Sequence, residues 1–371
     1  MRAVDSIQAI EADWRELSKM TGSAPFLAPG WVRAWLDSFG QEGLRIHTAW
    51  RSNTLVGVLP TRVHRHGTVV SPANWHTPFW APLAVDDDAA AALARGLVDD
   101  RPHRIELRCL DPDLPRSQAF IRSLHDLGYR TLPGRHLRFS PFAQLTTDWE
   151  TFSTRLSRSR RASIRRAEAR LAELGDARLE VYTGGDELDE RLLEGFRLES
   201  SGWKGRSGSA IDSAADTLDF YTRVAHWAAD EGTLRLMFLR LDEQVIAFSF
   251  NLEHDGTVWG LRIGYDEEHR SLGPGMLLMK SGVSLGIDHG AHTIDLGGDL
   301  QTDAYKREWS DGTRRVLTAT WLAPTLRGKA EHRAAVTWSS TKRRLDATLP
   351  EGTFDRIRAA RTRIAARLGR H

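Results

Sequence analysis

The stretch from Leu234 to Ala291 constrains the fold of this chain more than any other stretch does. It contains three apolar runs rich in β-branched and aromatic residues, Leu234–Arg240, Val245–Leu252 and Thr257–Tyr265, which short turn clusters separate. Such runs are typical of an antiparallel meander. From Met276 to His289 the apolar residues recur at helical spacing. The stretch therefore predicts a three-stranded meander that leads directly into a helix.

A glycine turn, Arg270-Ser-Leu-Gly273-Pro-Gly275, joins the third strand to this helix. Glycines just before a helix let the backbone approach an anion closely and point its free N–H groups at it. A guanidinium beside these groups suits a pyrophosphate, because its fork binds two oxygen atoms. An ordinary turn that begins a helix is an alternative interpretation of the same residues. The residues that we predict to bind a phosphorylated donor are Arg270, Leu272, Gly273, Gly275 and Met276.

The length of 371 residues favours two domains, because a domain usually has about 100–200 residues. No apolar run approaches the ~20 residues of a membrane span, and the N-terminus lacks the apolar segment of a signal peptide. Cys109 is the single cysteine, which excludes an intramolecular disulfide and fits a reducing compartment. We therefore expect a cytoplasmic protein without a membrane span.

An earlier hairpin repeats the first part of the meander. The apolar runs Leu44–Arg51 and Leu55–Val63 align without a gap with the runs that begin at Leu234 and Val245. Such internal similarity predicts two copies of one supersecondary unit. Near the place of the glycine turn the first copy has Thr77–Pro82, which contains no glycine. We therefore expect only the second copy to bind the pyrophosphate of a donor.

The glycine turn after a meander resembles the pyrophosphate loop of the GNAT acyltransferases, in which an (Arg/Gln)-x-x-Gly-x-(Gly/Ala) turn holds coenzyme A. Four further motifs closely resemble a two-domain GNAT subgroup first noted in cellulose-biosynthesis operons: Trp203-Lys204-Gly205, Gly264-Tyr265-Asp266, Asp295-x-x-Gly298 and Tyr305-Lys306-x-x-Trp309. The Fem peptidoglycan aminoacyltransferases are more distantly similar. The resemblance covers roughly Trp14 to Leu326 and is strongest in the second half.

The resemblance and the repeat together imply an α/β (α+β) fold class, with two tandem GNAT-like mixed β-sheet units flanked by helices. We predict a degenerate first unit at residues 1–147 and a unit with the donor loop at residues 148–325. Residues 326–371 are predicted to form a basic helical tail. A long arginine-rich helix, Trp149–Leu174, is expected to bridge the two units.

Acyl transfer to an amine needs a phosphate anchor, donors for the developing oxyanion and a group that removes a proton from the amine. A carboxylate can take that proton, and a tyrosine can return one to the leaving thiolate. The candidate catalytic residues stand at or after the ends of the last strands: Asp295, Asp299, Tyr265, Tyr305 and Lys306. The resemblance adds Trp203, Lys204 and Trp309 as substrate-binding candidates. Each residue also has an ordinary explanation as a turn, packing or surface residue.

No Ser-His-Asp or Cys-His arrangement is apparent in the sequence, so we expect the amine to attack the donor directly. His64 and His66 lie on one face of a strand without a third ligand nearby, and we predict no metal site. We expect no permanently bound cofactor. Acyl-coenzyme A is the expected cosubstrate, and the expected acceptor is an amine of a small molecule or of a cell-envelope or natural-product precursor.

Two basic segments, residues 155–170 and 327–370, leave a second donor open. Clustered arginines attract RNA backbones, although a solvated helix face also explains them. Together with the similarity to the Fem enzymes, they make aminoacyl-tRNA the rival donor. A non-catalytic binding module with the same fold is a further alternative.

Overall fold

The computed structural model describes residues 2–64, 67–132, 137–202 and 211–348, with the backbone alone for Leu137 and residues 342–348. In the first half the strands are β1 (Arg2–Val4), β2 (Leu44–Arg51), β3 (Thr54–His64), β4 (Thr68–Val70), β5 (Leu83–Ala84), β6 (Arg104–Leu110), β7 (Arg130–Thr131) and β8 (Leu137–Gln144). The helices there are α1 (Glu11–Thr21), α2 (Pro29–Phe39), α3 (Asp87–Asp99) and α4 (Pro115–Asp126).

In the second half the strands are β9 (Ala177–Tyr182), β10 (Leu234–Leu241), β11 (Gln244–His254), β12 (Thr257–Tyr265), β13 (Thr293–Asp295) and β14 (Gly312–Leu322). The helices are α5 (Trp149–Ser153), α6 (Arg158–Leu174), α7 (Leu188–Ser201), α8 (Ala215–Asp230), α9 (Pro274–Asp288) and α10 (Leu326–Thr348). Among the described residues, no helix combines the length and the apolar character needed to cross a bilayer.

The described strands form one mixed sheet in the order β1-β2-β3-β4-β6-β14-β8-β13-β12-β11-β10-β9, with β5 beside β3 and β7 beside β14. Each half contains an antiparallel hairpin and then a parallel pair, which is β4 with β6 in the first half and β12 with β13 in the second. This arrangement confirms the predicted fold class of two mixed β-sheet units flanked by helices.

The hairpins β2–β3 and β10–β11 match residue for residue, as the sequence alignment predicts. A register shift follows Ala49 in the first hairpin and Leu239 in the second, which are aligned positions. The turn residues Ser52 and Asp242 are also aligned, and their φ angles are 53° and 52°. Because the irregularities coincide as well as the strands, the two hairpins are copies of one structural unit.

The last strand of each half lies in the other half of the sheet. β8 pairs with β13, and β14 pairs with β6. The two exchanged strands also pair with each other, from Gly312 opposite Phe142 to Leu317 opposite Leu137. We call the region where β6, β14, β8 and β13 meet the seam. The division of the chain between residues 147 and 148 stays a prediction.

The predicted bridging helix, Trp149–Leu174, consists of two helices, α5 and α6. They are separate because the Ser157 hydroxyl accepts a hydrogen bond from the Arg160 N–H at 3.1 Å and so caps a new helix. Buried apolar side chains form two clusters. Successive residues of β10, such as Met237 and Phe238, enter different clusters, so the clusters lie on opposite faces of the sheet. α7 and α8 cover the first cluster, and α6 and α9 cover the second.

Candidate functional site

The strands β12 and β13 run parallel but pair over only three residues, 257–259 with 293–295. β12 continues to Tyr265. A register shift against β11 leaves Leu261 as an extra residue in β12, and such a bulge bends a strand and increases its twist. Strand pairing therefore ends at Trp259 and Asp295, although the Gly260 carbonyl oxygen still lies close to Gly297. We call the region beyond Gly260, between the end of β12 and the chain after β13, the cleft.

The glycine turn lies at the end of the cleft, between β12 and α9. Residues Glu267–Leu272 form a short 3₁₀ helix, and Gly273 follows with a φ of 65°, a conformation that side chains disfavour. Pro274 has no N–H, and the N–H of Gly275 has no backbone acceptor among the described residues. Arg270 is exposed. The turn therefore presents a free N–H group and a guanidinium at a helix N-terminus, a combination that binds phosphate.

The helix α6 runs beside this turn. A Cβ on Gly273 would lie 4.0 Å from the Cβ of Ala167 in α6. The Met276 sulfur accepts a hydrogen bond from Arg160 at 3.6 Å, and Leu272 is buried in the second core cluster. The predicted donor residues Leu272 and Met276 thus support the turn from the side of α6, whereas Arg270 faces solvent.

The two candidate tyrosines differ in their distance from the turn and in their exposure. A Cβ on Gly275 would lie 3.2 Å from Cδ1 of Tyr265, so the first turn of α9 rests against this ring. Half of the Tyr305 surface is exposed. Desolvation raises the pKa of its hydroxyl, and the charges of Asp303 and Tyr265 raise it further. The structure therefore places Tyr265 against the glycine turn and Tyr305 within electrostatic range of Tyr265.

The candidate Lys306 is buried, with 6% of its surface exposed. Its ammonium donates hydrogen bonds to the carbonyl oxygens of Leu296 at 2.9 Å and Gly297 at 3.0 Å. The carboxylate of Asp303 lies 3.4 Å away. Burial lowers the pKa of Lys306, while Asp303 and Asp295 act in the opposite direction. Lys306 therefore holds the chain just after β13 through two carbonyl oxygen atoms and links it to Asp303.

The candidate Asp295 is also buried, and it ends β13 at the start of the cleft. Its Oδ1 accepts hydrogen bonds from the Ser140 hydroxyl at 3.1 Å and from the Gly297 N–H at 2.9 Å. Its Oδ2 lies 3.6 Å from Nε of Arg314 and has no hydrogen-bond partner among the described residues. One oxygen of this carboxylate is therefore held by two hydrogen bonds, while the other makes a long ion pair with Arg314.

The remaining candidates lie in turns or in the core. Oδ1 of Asp299 accepts hydrogen bonds from the Phe139 N–H at 3.2 Å and the Gln301 N–H at 3.1 Å, which orders the turn. Trp309 is buried 6.2 Å from the Trp149 ring. The candidates Trp203 and Lys204, and His66, lie outside the described residues. Within the described ranges, no three His, Cys, Asp or Glu side chains are placed to hold a metal ion.

A buried ion pair lies on the α7 side of the cleft. Nε of Arg262 lies 2.9 Å from Oε1 of Glu199, and the other oxygen of Glu199 accepts a hydrogen bond from the Ile211 N–H at 3.0 Å. The guanidinium lies 5.3 Å from the Trp75 ring and 5.5 Å from the Tyr221 ring. Burial raises the pKa of Tyr221 to about 12, so this hydroxyl stays protonated. The pair fixes β12 to α7 beside the cleft.

Replacement of Arg262 by methionine is expected to lower the free energy of unfolding by about 3–5 kcal/mol, because it removes one partner of a buried ion pair. Urea denaturation measures the change. The control is Arg178→Met, which removes partly exposed pairs with Asp176, Glu180 and Glu243 and should lower the free energy of unfolding far less, because solvent screens exposed pairs. Equal losses in the two variants would contradict the role of the buried pair.

Sequence reasoning missed Arg262, Glu199 and Arg314. Arg262 is a lone charge inside the apolar β12 run, and Glu199 follows Leu192 and Phe196 on the buried face of α7. Both positions carried a signal, since a charge on a buried face needs a partner. Arg314 gave no such signal, because the polar residues before Val316 do not have the apolar pattern of a strand, although β14 begins at Gly312.

Residues 158–307 match the family model of the acetyltransferase (GNAT) domain. A search of the curated protein sequences finds no match. Among solved structures, FemX has 12% identity over 87% of this chain and 98% of its own, with a TM-score of 0.58. L-PGS from Bacillus licheniformis has 13% identity over 85% of this chain and 92% of its own, with a TM-score of 0.53. At these identities the likeness concerns the fold.

The matched range contains α6, the glycine turn, α9 and the pair Tyr305-Lys306. The narrower resemblance to the cellulose-biosynthesis subgroup stays a prediction. The family match and the geometry of the turn agree on the type of enzyme. Residues 158–307 match the acetyltransferase (GNAT) domain, and the protein is an acyltransferase.

Proposed function

We propose that the protein moves an acyl group from acyl-coenzyme A to an amine of a small molecule or of a cell-envelope or natural-product precursor. The observation that carries this proposal is the left-handed Gly273 at the N-terminus of α9, beside the cleft. A pyrophosphate bound there would place the rest of an extended donor along the cleft. The anchor and the reacting groups are then held on rigid elements, which favours the reactive geometry.

In this proposal the turn Arg270–Gly275 binds the pyrophosphate, and Lys306 holds the end of β13 in position. The amine nitrogen attacks the thioester carbon, so a C–N bond forms while the C–S bond breaks. Asp295 takes the proton that the amine loses, and Tyr265 or Tyr305 gives a proton to the leaving thiolate. The raised pKa of Tyr305 keeps its hydroxyl protonated until that step.

Direct attack is proposed because the one cysteine is poorly suited to carry the acyl group. Burial raises the pKa of the Cys109 thiol, so little thiolate is present at neutral pH. Its S–H group donates a hydrogen bond to the Asn74 carbonyl oxygen at 3.0 Å.

Calorimetry at low salt with acetyl-coenzyme A and longer acyl-coenzyme A molecules tests the donor. We expect saturable binding to the folded protein, release of coenzyme A in the presence of an accepted amine, and no acylated protein in the mass spectrum. A folded protein that binds none of these donors would contradict the proposal.

A second candidate donor is aminoacyl-tRNA, and the surface of α6 favours it. Three arginines of this region have partners within the protein. Arg155 pairs with Asp311, Arg160 pairs with Glu308, and Arg161 donates hydrogen bonds to main-chain carbonyl oxygens. The arginines that are exposed beside the glycine turn are Arg158, Arg165, Arg166 and Arg170. An RNA backbone bound along this face would bring an acceptor end to the start of α9.

The triple change Arg158→Gln, Arg165→Gln and Arg170→Gln distinguishes the two donors. If tRNA is the donor, the slope of log K against log salt becomes shallower by about 2–3. If acyl-coenzyme A is the donor, its dissociation constant changes by less than about threefold, since exposed charges are screened. Gel shifts and calorimetry at several salt concentrations measure both. The matched control replaces three exposed arginines of the first unit, Arg95, Arg101 and Arg130.

A further inference from the structure

Polar side chains gather at the seam on the face of the first core cluster. In the strand register Ser140 lies opposite Arg314, Asp295 opposite Phe142, and Trp259 beside Asp295. Paired residues, and residues two apart along a strand, share a face of a sheet. Arg138 lies two residues before Ser140 and donates hydrogen bonds to the carbonyl oxygens of the 77–78 segment. We call this group the seam cluster: Thr77, Arg138, Ser140, Trp259, Asp295 and Arg314.

Several polar atoms of the seam cluster are buried and have no hydrogen-bond partner in the described part of the chain. They are Thr77 Oγ1, Arg138 Nε, Trp259 Nε1, Asp295 Oδ2 and Arg314 Nε. The last two face each other at 3.6 Å, as an ion pair that is too long for a hydrogen bond. Asp295 and Thr77 are 2% and 1% exposed. Buried polar groups in folded proteins are nearly always paired, so a concentration of unpaired ones at one place indicates a ligand.

The cluster has a definite hydrogen-bonding character. Three of the unpaired atoms are N–H donors, two of them on guanidinium groups, and Asp295 Oδ2 is a carboxylate acceptor. Arg314 also pairs with Asp111 at 2.8 Å and stacks 4.4 Å from the Phe79 ring, which fixes its direction. Its side chain keeps 22% exposure, so the cluster is open to solvent on one side. A complementary ligand donates a hydrogen bond at one point and accepts hydrogen bonds at several others.

We propose that the seam cluster binds the acceptor, and that the acceptor is an amine with an acidic group, a carboxylate or a phosphate, close to it. The amine meets Asp295 Oδ2 at the start of the cleft, and the acidic group meets Arg314 and Arg138. Charge-assisted hydrogen bonds of this kind are short and directional. The inference rests on the proposed N-acyl transfer, and it assigns part of the acceptor site to the exchanged strands β8 and β14.

Matched pairs of amines test this assignment. The pairs are lysine with cadaverine, β-alanine with propylamine, and phosphoethanolamine with ethanolamine. For the wild-type protein we expect the acid-bearing member of at least one pair to bind at least about tenfold tighter by calorimetry, because a site with unpaired donors rejects a ligand that cannot satisfy them. The three pairs separate a carboxylate from a phosphate.

Three variants test which residues cause the tighter binding of the acid-bearing amine. Arg314→Met should bring the affinity ratio within a pair close to one, and Thr77→Val, which removes only a hydroxyl group, should lower it severalfold. Arg315→Met is the matched control, because Arg315 pairs with the exposed Asp113 at 2.6 Å and faces the other side of β14. The ratio should be unchanged in that variant. If Arg314→Met does not fold, Thr77→Val decides the question.

The assignment is overturned if no acid-bearing amine binds, if both members of every pair bind equally, or if the preference survives in the folded variants. Binding of acetyl-coenzyme A without any amine is measured separately. If the protein does not bind acetyl-coenzyme A, the donor assignment is wrong. If it binds acetyl-coenzyme A but shows no preference for acid-bearing amines, only the acceptor assignment is wrong.

Discussion

Replacement of Gly275 by tryptophan is expected to weaken the binding of acyl-coenzyme A by at least about 100-fold, which is about 2.8 kcal/mol of binding free energy. A Cβ at this position would already lie 3.2 Å from the Tyr265 ring. A larger side chain therefore has no room towards the ring and must fill the space in front of the N–H groups at the start of α9. Calorimetry with acetyl-coenzyme A measures the loss, and circular dichroism confirms that the protein is folded.

The matched control for this change is Gly282→Ala on the same helix. A Cβ there would lie 4.0 Å from the nearest atom, a methyl group of Ile294, which is an ordinary contact. Alanine also favours a helix over glycine by about 1 kcal/mol, so this variant should fold and bind the donor as the wild type does. An unchanged dissociation constant for Gly275→Trp would show that the donor does not bind at this turn.

Replacement of Lys306 by methionine is expected to reduce the rate of acyl transfer by about 100-fold or more. The change leaves the carbonyl oxygens of Leu296 and Gly297 without their donor, so the chain after Asp295 loses its fixed position. A displacement of about 1 Å near reacting groups can cost that much in rate. Each buried acceptor left unpaired costs about 1–3 kcal/mol, so the free energy of unfolding should also fall by at least about 2 kcal/mol.

The pH dependence of stability gives a second measurement for Lys306. Its pKa is lower in the folded protein than the ordinary value of 10.5 because it is buried, so the unfolded chain holds the proton to higher pH. The wild type should therefore gain stability relative to Lys306→Met as the pH rises from the lowered pKa towards 10.5. The matched control is Lys280→Met, which removes a partly exposed pair with Glu168 and should change stability by less than about 1 kcal/mol. A constant difference between wild type and Lys306→Met across this range would contradict a lowered pKa of the buried lysine.

The local pattern of this chain predicts its elements well and its long-range pairings poorly. The sequence interval Thr257–Tyr265 is the whole of β12, and the gapless alignment of the hairpins extends even to the matching φ angles of Ser52 and Asp242. These features depend on residues close together in the chain. The exchange of β8 and β14 depends on which edge each strand meets, and alternation along a strand carries no information about its partner.

The residues of the candidate site were likewise predictable where they depend on local sequence and unpredictable where they depend on distant contacts. The turn at Gly273 and Gly275 was predictable, because a left-handed residue at a helix start requires a specific residue type. The role of Arg314 was not predictable, since it depends on ion pairs with Asp295 and Asp111. These residues lie far from Arg314 in the sequence. The burial of Lys306 was likewise hidden, because a lysine beside Arg307 has the local appearance of a surface residue.

The strand exchange has a consequence for how the protein acquires its structure during synthesis. The edge of β6 that β14 covers is formed by residues near position 110, yet its partner begins only at Gly312. Pairing across so long an interval is slow, because the entropy of closing the loop must be lost before the contacts form. Until β14 leaves the ribosome, the first half exposes an unpaired β edge, a recognised hazard for aggregation. The first half thus completes its fold only after almost the entire second half has been made.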